Sequence, residues 1–302
     1  MAKRTTRGYH SERLGDEPLI DPDQVKRPAF VLFQRYGNHD GPPHKHRKGQ
    51  LMYVSEGVLH VETDAGMWVV IPQRAVWLPP QVVHRGLSRR GFALCNLYVD
   101  ANYSRALPQH CCTVTITPLV RELLLQGARF GSRYPRNGPQ MRLLSVLVEH
   151  IATLPQAPLH LPEPKDRRLR AITAALRGNP TCDDTLDQWA GRVGASSRTL
   201  ARLFVKETKL TFASWRQQLR LLVALEALAH GQSVTAAALD AGYEDTSAFI
   251  SMFRRALGVT PGRYFDRAGT EQCVPTEARP LAIRTRRSPK AEPTGCPTKR
   301  SN

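Results

Sequence analysis

One helical signature occurs twice between Thr185 and Tyr264, and this repetition restricts the fold more than any other feature of the chain. The first copy reads TLDQWAGRVGASSRTLARLFVKE and the second SVTAAALDAGYEDTSAFISMFRRALG. In each, an Ala precedes a Gly by one helical turn: Ala190 and Gly194, then Ala238 and Gly242. A small Ala lets a second helix pack closely on the first, and Gly accepts the left-handed backbone of a tight turn. Ser196 and Thr246 are the cap candidates for the helices that follow. Apolar residues then recur at helical spacing: Leu200, Leu203 and Phe204, and later Phe249, Met252 and Phe253. A single such pattern is common by chance. Two in order predict a pair of helix-turn-helix units.

Between the copies lies FASWRQQLRLLVALEALAHG, in which Phe212, Trp215, Leu219, Leu222 and Leu225 form one stripe. A rigid helix here would fix the separation of the two units. Two recognition helices could then enter successive major grooves, about 34 Å apart on one face of B-DNA. Charge agrees with that partner. The chain carries 43 Lys and Arg against 26 Asp and Glu, a net charge of +17 over 302 residues. Such an excess favours a polyanion. From Arg192 to Arg220 the basic residues are opposed only by Glu207, so the excess covers the first unit.

The remainder of the chain has a different texture. From Ala29 to Val99, short segments rich in Val, Leu and aromatics are separated by turns: 30–33, 51–54, 58–63, 67–71, 75–78 and 93–99. Asp64-Ala65-Gly66 reads as a hairpin turn. This spacing predicts a small antiparallel barrel or jelly roll. Helical periodicity follows over 118–129 and 139–154, on Leu119, Leu123 and Leu124 and on Met141, Leu144, Leu147, Val148 and Ile151. The fold class expected is therefore two-domain: an N-terminal β-barrel with helices and a C-terminal all-α double helix-turn-helix. The divisions are a loose N-terminus (1–27), a barrel domain with its helices (28–154), a Pro-marked linker (155–166), a DNA-binding domain (167–266) and a disordered basic tail (267–302).

No apolar run approaches the roughly 20 residues of a membrane span, and the basic N-terminus lacks the apolar core of a secretory signal. The six Cys form no Cys-x-x-Cys pair. These features point to a soluble protein in a reducing cytoplasm.

Residues 167–265 resemble the DNA-binding domain of the AraC/XylS family of bacterial transcription regulators. The matching positions are Leu186, Ala190, Gly194, Ser196, Arg198, Leu200, Arg202, Phe204, Arg220, Ala224, Val234, Ala238, Gly242-Tyr243, Ser247, Phe249, Phe253, Gly258 and Thr260-Pro261-Gly262-x-Tyr264. The resemblance implies that Arg198, Ala201 and Arg202 read bases, with Arg202 bidentate to guanine, while Ser196 caps the helix and Lys206 touches phosphate. In the second unit it implies contacts from Thr246, Ser247, Ile250 and Ser251, with Arg254 and Arg255 on phosphates. Ser251 stands where the family often has a base-reading Arg, so the first unit is expected to discriminate bases more strongly.

In the barrel half, His44-x-His46, Gln50, Gly57, Pro79 and His84 resemble the two motifs of the cupin superfamily. That resemblance implies a divalent metal held inside a barrel by His44, His46, His84 and the position of Gln50, where Gln replaces the usual Glu. Three neutral imidazoles still suit zinc, nickel or ferrous iron. Because Gln50 removes the one anionic ligand of that motif, the expectation is a metal-free pocket, with no cofactor required, in which Tyr53, Trp68, Trp77 and His84 meet an organic effector; the metal centre is the alternative. The string QRAVWLPPQVVH also resembles a cupin subgroup of the family that includes repressors of efflux transporters. The function implied is a sequence-specific activator or repressor that binds double-stranded DNA and responds to a small-molecule effector, controlling a transporter or catabolic gene. RNA polymerase and a second copy of the chain are further candidate partners. The competing class is a metal-dependent cupin enzyme, a dioxygenase or isomerase, with an autoregulatory DNA-binding domain; the missing carboxylate ligand counts against it.

Overall fold

The computed structural model describes residues 10–14, 20–157 and 159–266. The N-terminal half is a nearly closed antiparallel barrel. Its strands are β1 (His10–Leu14), β2 (Ala29–Asp40), β3 (Gly49–Glu56), β4 (Leu59–Thr63), β5 (Gly66–Val70) and β6 (Arg74–Leu78). They continue with β7 (His84–Ser88), β8 (Phe92–Val99), β9 (Cys112–Thr115), β10 (Gln156–Ala157) and β11 (His160–Pro162). The hydrogen-bonded order is β10-β9-β6-β3-β8-β2-β7-β4-β5-β11, with β1 added beside β2. Strand β2 carries the bend: residues 29–36 pair with β8, and His39 and Asp40 pair with β7.

Period-two alternation divides the strand residues between distinct cores. Met52, Val54, Val76, Leu78, Leu94 and Trp68 form one cluster on one face of the sheet. Their sequence neighbours Leu51, Tyr53, Ala75, Trp77 and Cys95 face the other way, into a second cluster with Leu124, Leu144, Leu147 and Ile151. Those three leucines and the isoleucine belong to α1 (Pro118–Phe130) and α2 (Pro139–Ala152), which cover that sheet face.

The C-terminal half comprises α3 (Arg167–Gly178), α4 (Leu186–Val193), α5 (Ser197–Thr208), α6 (Phe212–Ala229), α7 (Val234–Asp240), α8 (Thr246–Leu257) and α9 (Pro261–Asp266). Helices α4 and α5 form the first helix-turn-helix and α7 and α8 the second. Gly194 has φ 64° and Gly242 φ 78°, the left-handed values that the turns require. The internal repeat extends past both units. Lys209 and Gly258 each end a recognition helix in the left-handed conformation, and Trp215 and Tyr264 each bury an aromatic one turn into the next helix.

Three expectations need correction. The segment 155–166 is woven into the sheet rather than hanging as a linker. Strand β11 pairs with β5, and Leu159 and Leu161 are buried in a cluster shared with α3 and α6. Prolines ended the strand signal, but alternating Leu residues supply the burial. Within 1–27, His10–Leu14 is strand, paired with β2 although its side chains are largely exposed. Backbone pairing at a sheet edge needs no apolar pattern, which is why none was visible. The second recognition helix is capped by Asp245 and not Thr246: the Asp245 carboxylate accepts from the Ser247 and Ala248 amides at 2.9 and 3.0 Å. Strands β7 and β9 also lay outside the segments read from the sequence. The expected tail, 267–302, lies outside the described residues.

Candidate DNA-binding surface and sensor cluster

Helix α5 buries Leu200 and Phe204 and leaves Arg198, Ala201, Arg202, Val205 and Lys206 exposed on the opposite face. Ser196 caps it, accepting from the Thr199 amide at 3.2 Å. The structure sorts the local basic residues by what they touch. Arg192 pairs with Asp184 at 2.6 Å and lies over the Trp189 ring. Arg216 donates to the Asp184 carbonyl at 3.2 Å. Arg220 pairs with Asp183 at 2.6 Å and approaches the Tyr243 ring, so it ties α6 to the loop before α4 and to the second turn. Among the described residues, no ion pair or hydrogen bond engages the cationic groups of Arg198, Arg202 or Lys206.

On α8 the matching face shows Ser247, Ser251, Arg254 and Arg255 exposed, while Thr246 and Ile250 are half-buried. Ile250 packs against the hydrophobic cluster of its own domain, so it is less available than its expected role requires. Arg254 and Arg255 make no ion pair among the described residues, and they sit in the last turn, where cations also suit the helix dipole.

At one end of the barrel the structure brings His44, His46 and His84 together. A ligating nitrogen of each lies within 4.8 Å of the others. His44 and His84 form an isolated antiparallel bridge, with backbone hydrogen bonds of 2.8 and 2.9 Å. The Nδ1 atoms of His44 and His84 bond to the carbonyls of Pro42 at 2.9 Å and Val82 at 3.0 Å. A neutral ring held this way keeps its proton on Nδ1 and offers the Nε2 lone pair. The Nε2 atoms of His46 and His84 are buried without a hydrogen-bond partner. Burial pushes the His84 pKa down to about 4, with the neighbouring imidazoles adding to the effect; the Val82 carbonyl opposes it. His46 is lowered too, by burial and then by His44. Neutral imidazole is the form that ligates metal.

Gln50 is linked to this cluster through Tyr98. Its amide nitrogen donates to Asn96 Oδ1 at 3.0 Å and to Tyr98 Oη at 3.3 Å, and its Oε1 is buried and unpartnered. The Tyr98 ring meets His46 edge-on, 5.4 Å between centroids. The proposed effector residues, by contrast, are not gathered into one pocket. Trp68 belongs to the cluster of Met52 and Val54, whereas Tyr53 and Trp77 pack in the other cluster with α1 and α2, with Trp77 donating to the Pro108 carbonyl at 2.8 Å. Strand parity carried this signal: Gln50 and Tyr53 lie an odd number of residues apart on β3 and cannot share a face.

The seam between the halves was not read from the sequence. Trp215 Nε1 donates to the Pro162 carbonyl at 2.9 Å, and Arg74 Nε donates to Tyr264 Oη at 3.0 Å. His60 on β4 meets Glu226 on α6 at 3.1 Å. Val58, Val69 and Ile71 of the barrel half share one hydrophobic cluster with Ile172, Trp215 and Phe253. Such partners are far apart in sequence and carry no local pattern.

A barrel joined to a double helix-turn-helix defines a two-domain, ligand-binding transcription regulator, and comparison with known proteins agrees. Residues 28–112 match the AraC-like ligand binding domain, and residues 189–267 match a helix-turn-helix domain model. The chain is 38% identical over 262 residues to the HTH-type transcriptional regulator NimR of Escherichia coli (strain K12), covering 86% of this chain and 95% of that protein. It is 38% identical over 103 residues to the HTH-type transcriptional regulator RipA of Corynebacterium glutamicum, covering 34% of this chain and 31% of RipA. Among solved structures, ToxT from Vibrio cholerae O395 aligns with a TM-score of 0.36 and 12% identity, over 81% of this chain and 99% of ToxT. The chain belongs to the AraC family of transcriptional regulators. No described helix is long and apolar enough to cross a membrane.

Proposed function

We propose that the chain binds operator DNA in the cytoplasm through α5 and α8 and adjusts that binding to a small-molecule effector received by the barrel. The carrying observation is the exposed stripe Arg198, Arg202 and Lys206, whose cationic groups have no intramolecular partner among the described residues while their basic neighbours do. In this reading Arg198, Ala201 and Arg202 meet base edges, and Lys206, Arg254 and Arg255 meet phosphates. Ser196, Thr246, Ser247, Ile250 and Ser251 complete the two surfaces. The targets are transporter or catabolic genes, and polymerase contact and self-association accompany regulation.

His44, His46 and His84 would hold one divalent transition metal in the sensor; the anchored Nδ1 atoms and orphaned Nε2 atoms support this over a metal-free pocket. Bound there, the metal would supply a local positive charge. Its occupancy has a short route to the other half: His84 opens β7, β7 pairs with β4, and His60 of β4 touches Glu226 of α6.

The test is a titration of full-length protein with DNA from upstream of its own and neighbouring genes, against scrambled DNA of equal length, at several salt concentrations. A preference for one upstream site and a steep loss of affinity with salt are expected. Equal affinity for both DNAs at every salt concentration sinks the reading.

A further inference from the structure

Glu207 is the only acidic residue between Arg192 and Arg220, and it lies on α5, the helix that presents Arg198, Arg202 and Lys206. A carboxylate beside approaching phosphates is repelled by them, so DNA contact gives it no role. Its role lies on the other side of the helix. Glu207 is half-buried, one turn beyond Leu203, and its Oε2 accepts from the backbone amides of Lys165 at 2.7 Å and Asp166 at 2.9 Å. No Lys, Arg or His pairs with it among the described residues. Those two amides belong to the segment that crosses between the halves. Just upstream, the Glu163 amide donates to the Ala65 carbonyl at 3.3 Å and Pro162 pairs with Gly66. Residues 63–66 form the turn of the β4–β5 hairpin, and Thr63 is in register with His84 of β7. Pro162 and Pro164 fix φ on either side of Glu163, so the crossing is stiff.

Resting on the operator-binding reading above, we propose that Glu207 is the positioning residue through which the barrel sets the seat of recognition helix α5. It acts on DNA through the pose of Arg198 and Arg202 and touches no base itself. Hydrogen bonds to a carboxylate are roughly twice as strong as neutral ones. Their donors here are backbone amides, which move with the crossing segment and cannot rotate away as side chains do. Trp215 Nε1 holds α6 to the same strand at the Pro162 carbonyl, so Glu207 is the contact that belongs to α5 itself. The second unit has no such link: counted back from the residues that end the two recognition helices, Lys209 and Gly258, the position of Glu207 is Ala256, which is exposed. A shift at the 63–66 turn therefore reaches the first unit through paired backbone, and DNA held on α5 reaches that turn by the same route.

The experiment uses full-length protein, the upstream DNA that wild type prefers and scrambled DNA of equal length, and reads the ratio of the two affinities. Glu207→Ala and Glu207→Gln both remove the negative charge, so both should tighten scrambled DNA alike. Gln keeps one carbonyl oxygen for the two amides, so Glu207→Gln should hold the ratio near wild type, whereas Glu207→Ala should lower it about fivefold or more. Gly66→Ala tests the barrel end, because a side-chain carbon there collides with the Leu161 carbonyl oxygen and pushes β11 off β5. It should lower the ratio about fivefold or more alone and leave it unchanged in the Glu207→Ala background. Thermal melts identify any variant that does not fold. Should Gly66→Ala fail to fold, amide hydrogen exchange decides: the preferred DNA should slow exchange at 63–66 and 163–166 in wild type and not in Glu207→Ala. Equal ratios for wild type and Glu207→Ala, or equal losses in Glu207→Ala and Glu207→Gln, overturn the positioning role. Additive effects of Gly66→Ala and Glu207→Ala, or exchange indifferent to DNA, overturn the link to the barrel. Wild type without preference for any upstream DNA overturns the operator-binding reading itself, and the proposal with it.

Discussion

The two helix-turn-helix units are copies of one plan, built to different tolerances and with different surfaces. Each has a capped first helix, a left-handed Gly, a capped second helix and a buried aromatic in the helix beyond. The second turn is one residue longer, and Tyr243 and Glu244 fill it before Asp245 caps α8. The first turn is open: a side-chain carbon added at Gly194 would meet nothing within 4 Å. The second is closed. A carbon at Gly242 would lie 3.0 Å from Thr181 Cα and 3.0 Å from an Arg220 nitrogen. The surfaces differ in the opposite sense. The first unit shows three unpartnered cations along α5, whereas the second shows two serines and then two arginines in its last turn. Thus the second unit is braced against its neighbours and chemically plain, while the first is freer and carries the chemistry.

The largest expected effect tests the bracing. Gly242→Val should destabilise the fold by about 3 kcal/mol, from left-handed strain on a β-branched residue plus contact with Thr181. Gly194→Val carries the strain alone and should cost about 1–2 kcal/mol. Thermal unfolding of both variants checks this; equal losses would show that the closed second turn has no energetic weight.

Surface chemistry comes next. Arg202→Ala should cost about 1–3 kcal/mol at the cognate site and relax preference at one base pair. Arg254→Ala should weaken all sequences alike and lower the salt slope by about 1. Binding-site selection with each variant separates the two roles. If the base preference follows Arg254 instead, the assignment of discrimination to the first unit is reversed.

A smaller effect concerns how each unit meets the barrel. Trp215 and Tyr264 occupy equivalent places in the repeat, and both hydrogen-bond across the seam. Tyr264→Phe removes the acceptor for buried Arg74 and should cost about 1–2 kcal/mol in unfolding of the full chain. Unaltered stability would mean that the second unit is held by its apolar contacts alone.

The smallest effect is at the cap. Asp245→Ala should cost about 1 kcal/mol, and Thr246→Ala only a few tenths. The reverse order, read by denaturant midpoints, would restore Thr246 as the cap.

Much of this was legible because it is written at short range. Ala and Gly one turn apart, apolar residues at helical spacing and alternating strands report local backbone geometry, and local geometry repeats along the chain. The cap of α8 was misread because Asp245 and Thr246 are both good cap residues, and one extra residue in the turn decides between them. Tyr53 and Trp77 were grouped with Trp68 by residue type, although strand parity already placed Tyr53 opposite Gln50. The segment 155–166 was read as linker because its prolines interrupt the pattern, yet its alternating Leu159 and Leu161 are buried.

The sequence by itself determined the two-part architecture, the doubled DNA-binding unit and the choice of His44, His46 and His84, since each rests on spacing within an element or a motif. Only the tertiary structure decided which arginines are free, because Asp183 and Asp184 capture Arg220 and Arg192 through contacts that folding alone creates. It also decided that the halves share a core, through Leu159, Leu161 and Ile71 against Ile172 and Trp215. Burial between distant segments follows from how the whole chain packs, and no local periodicity records it.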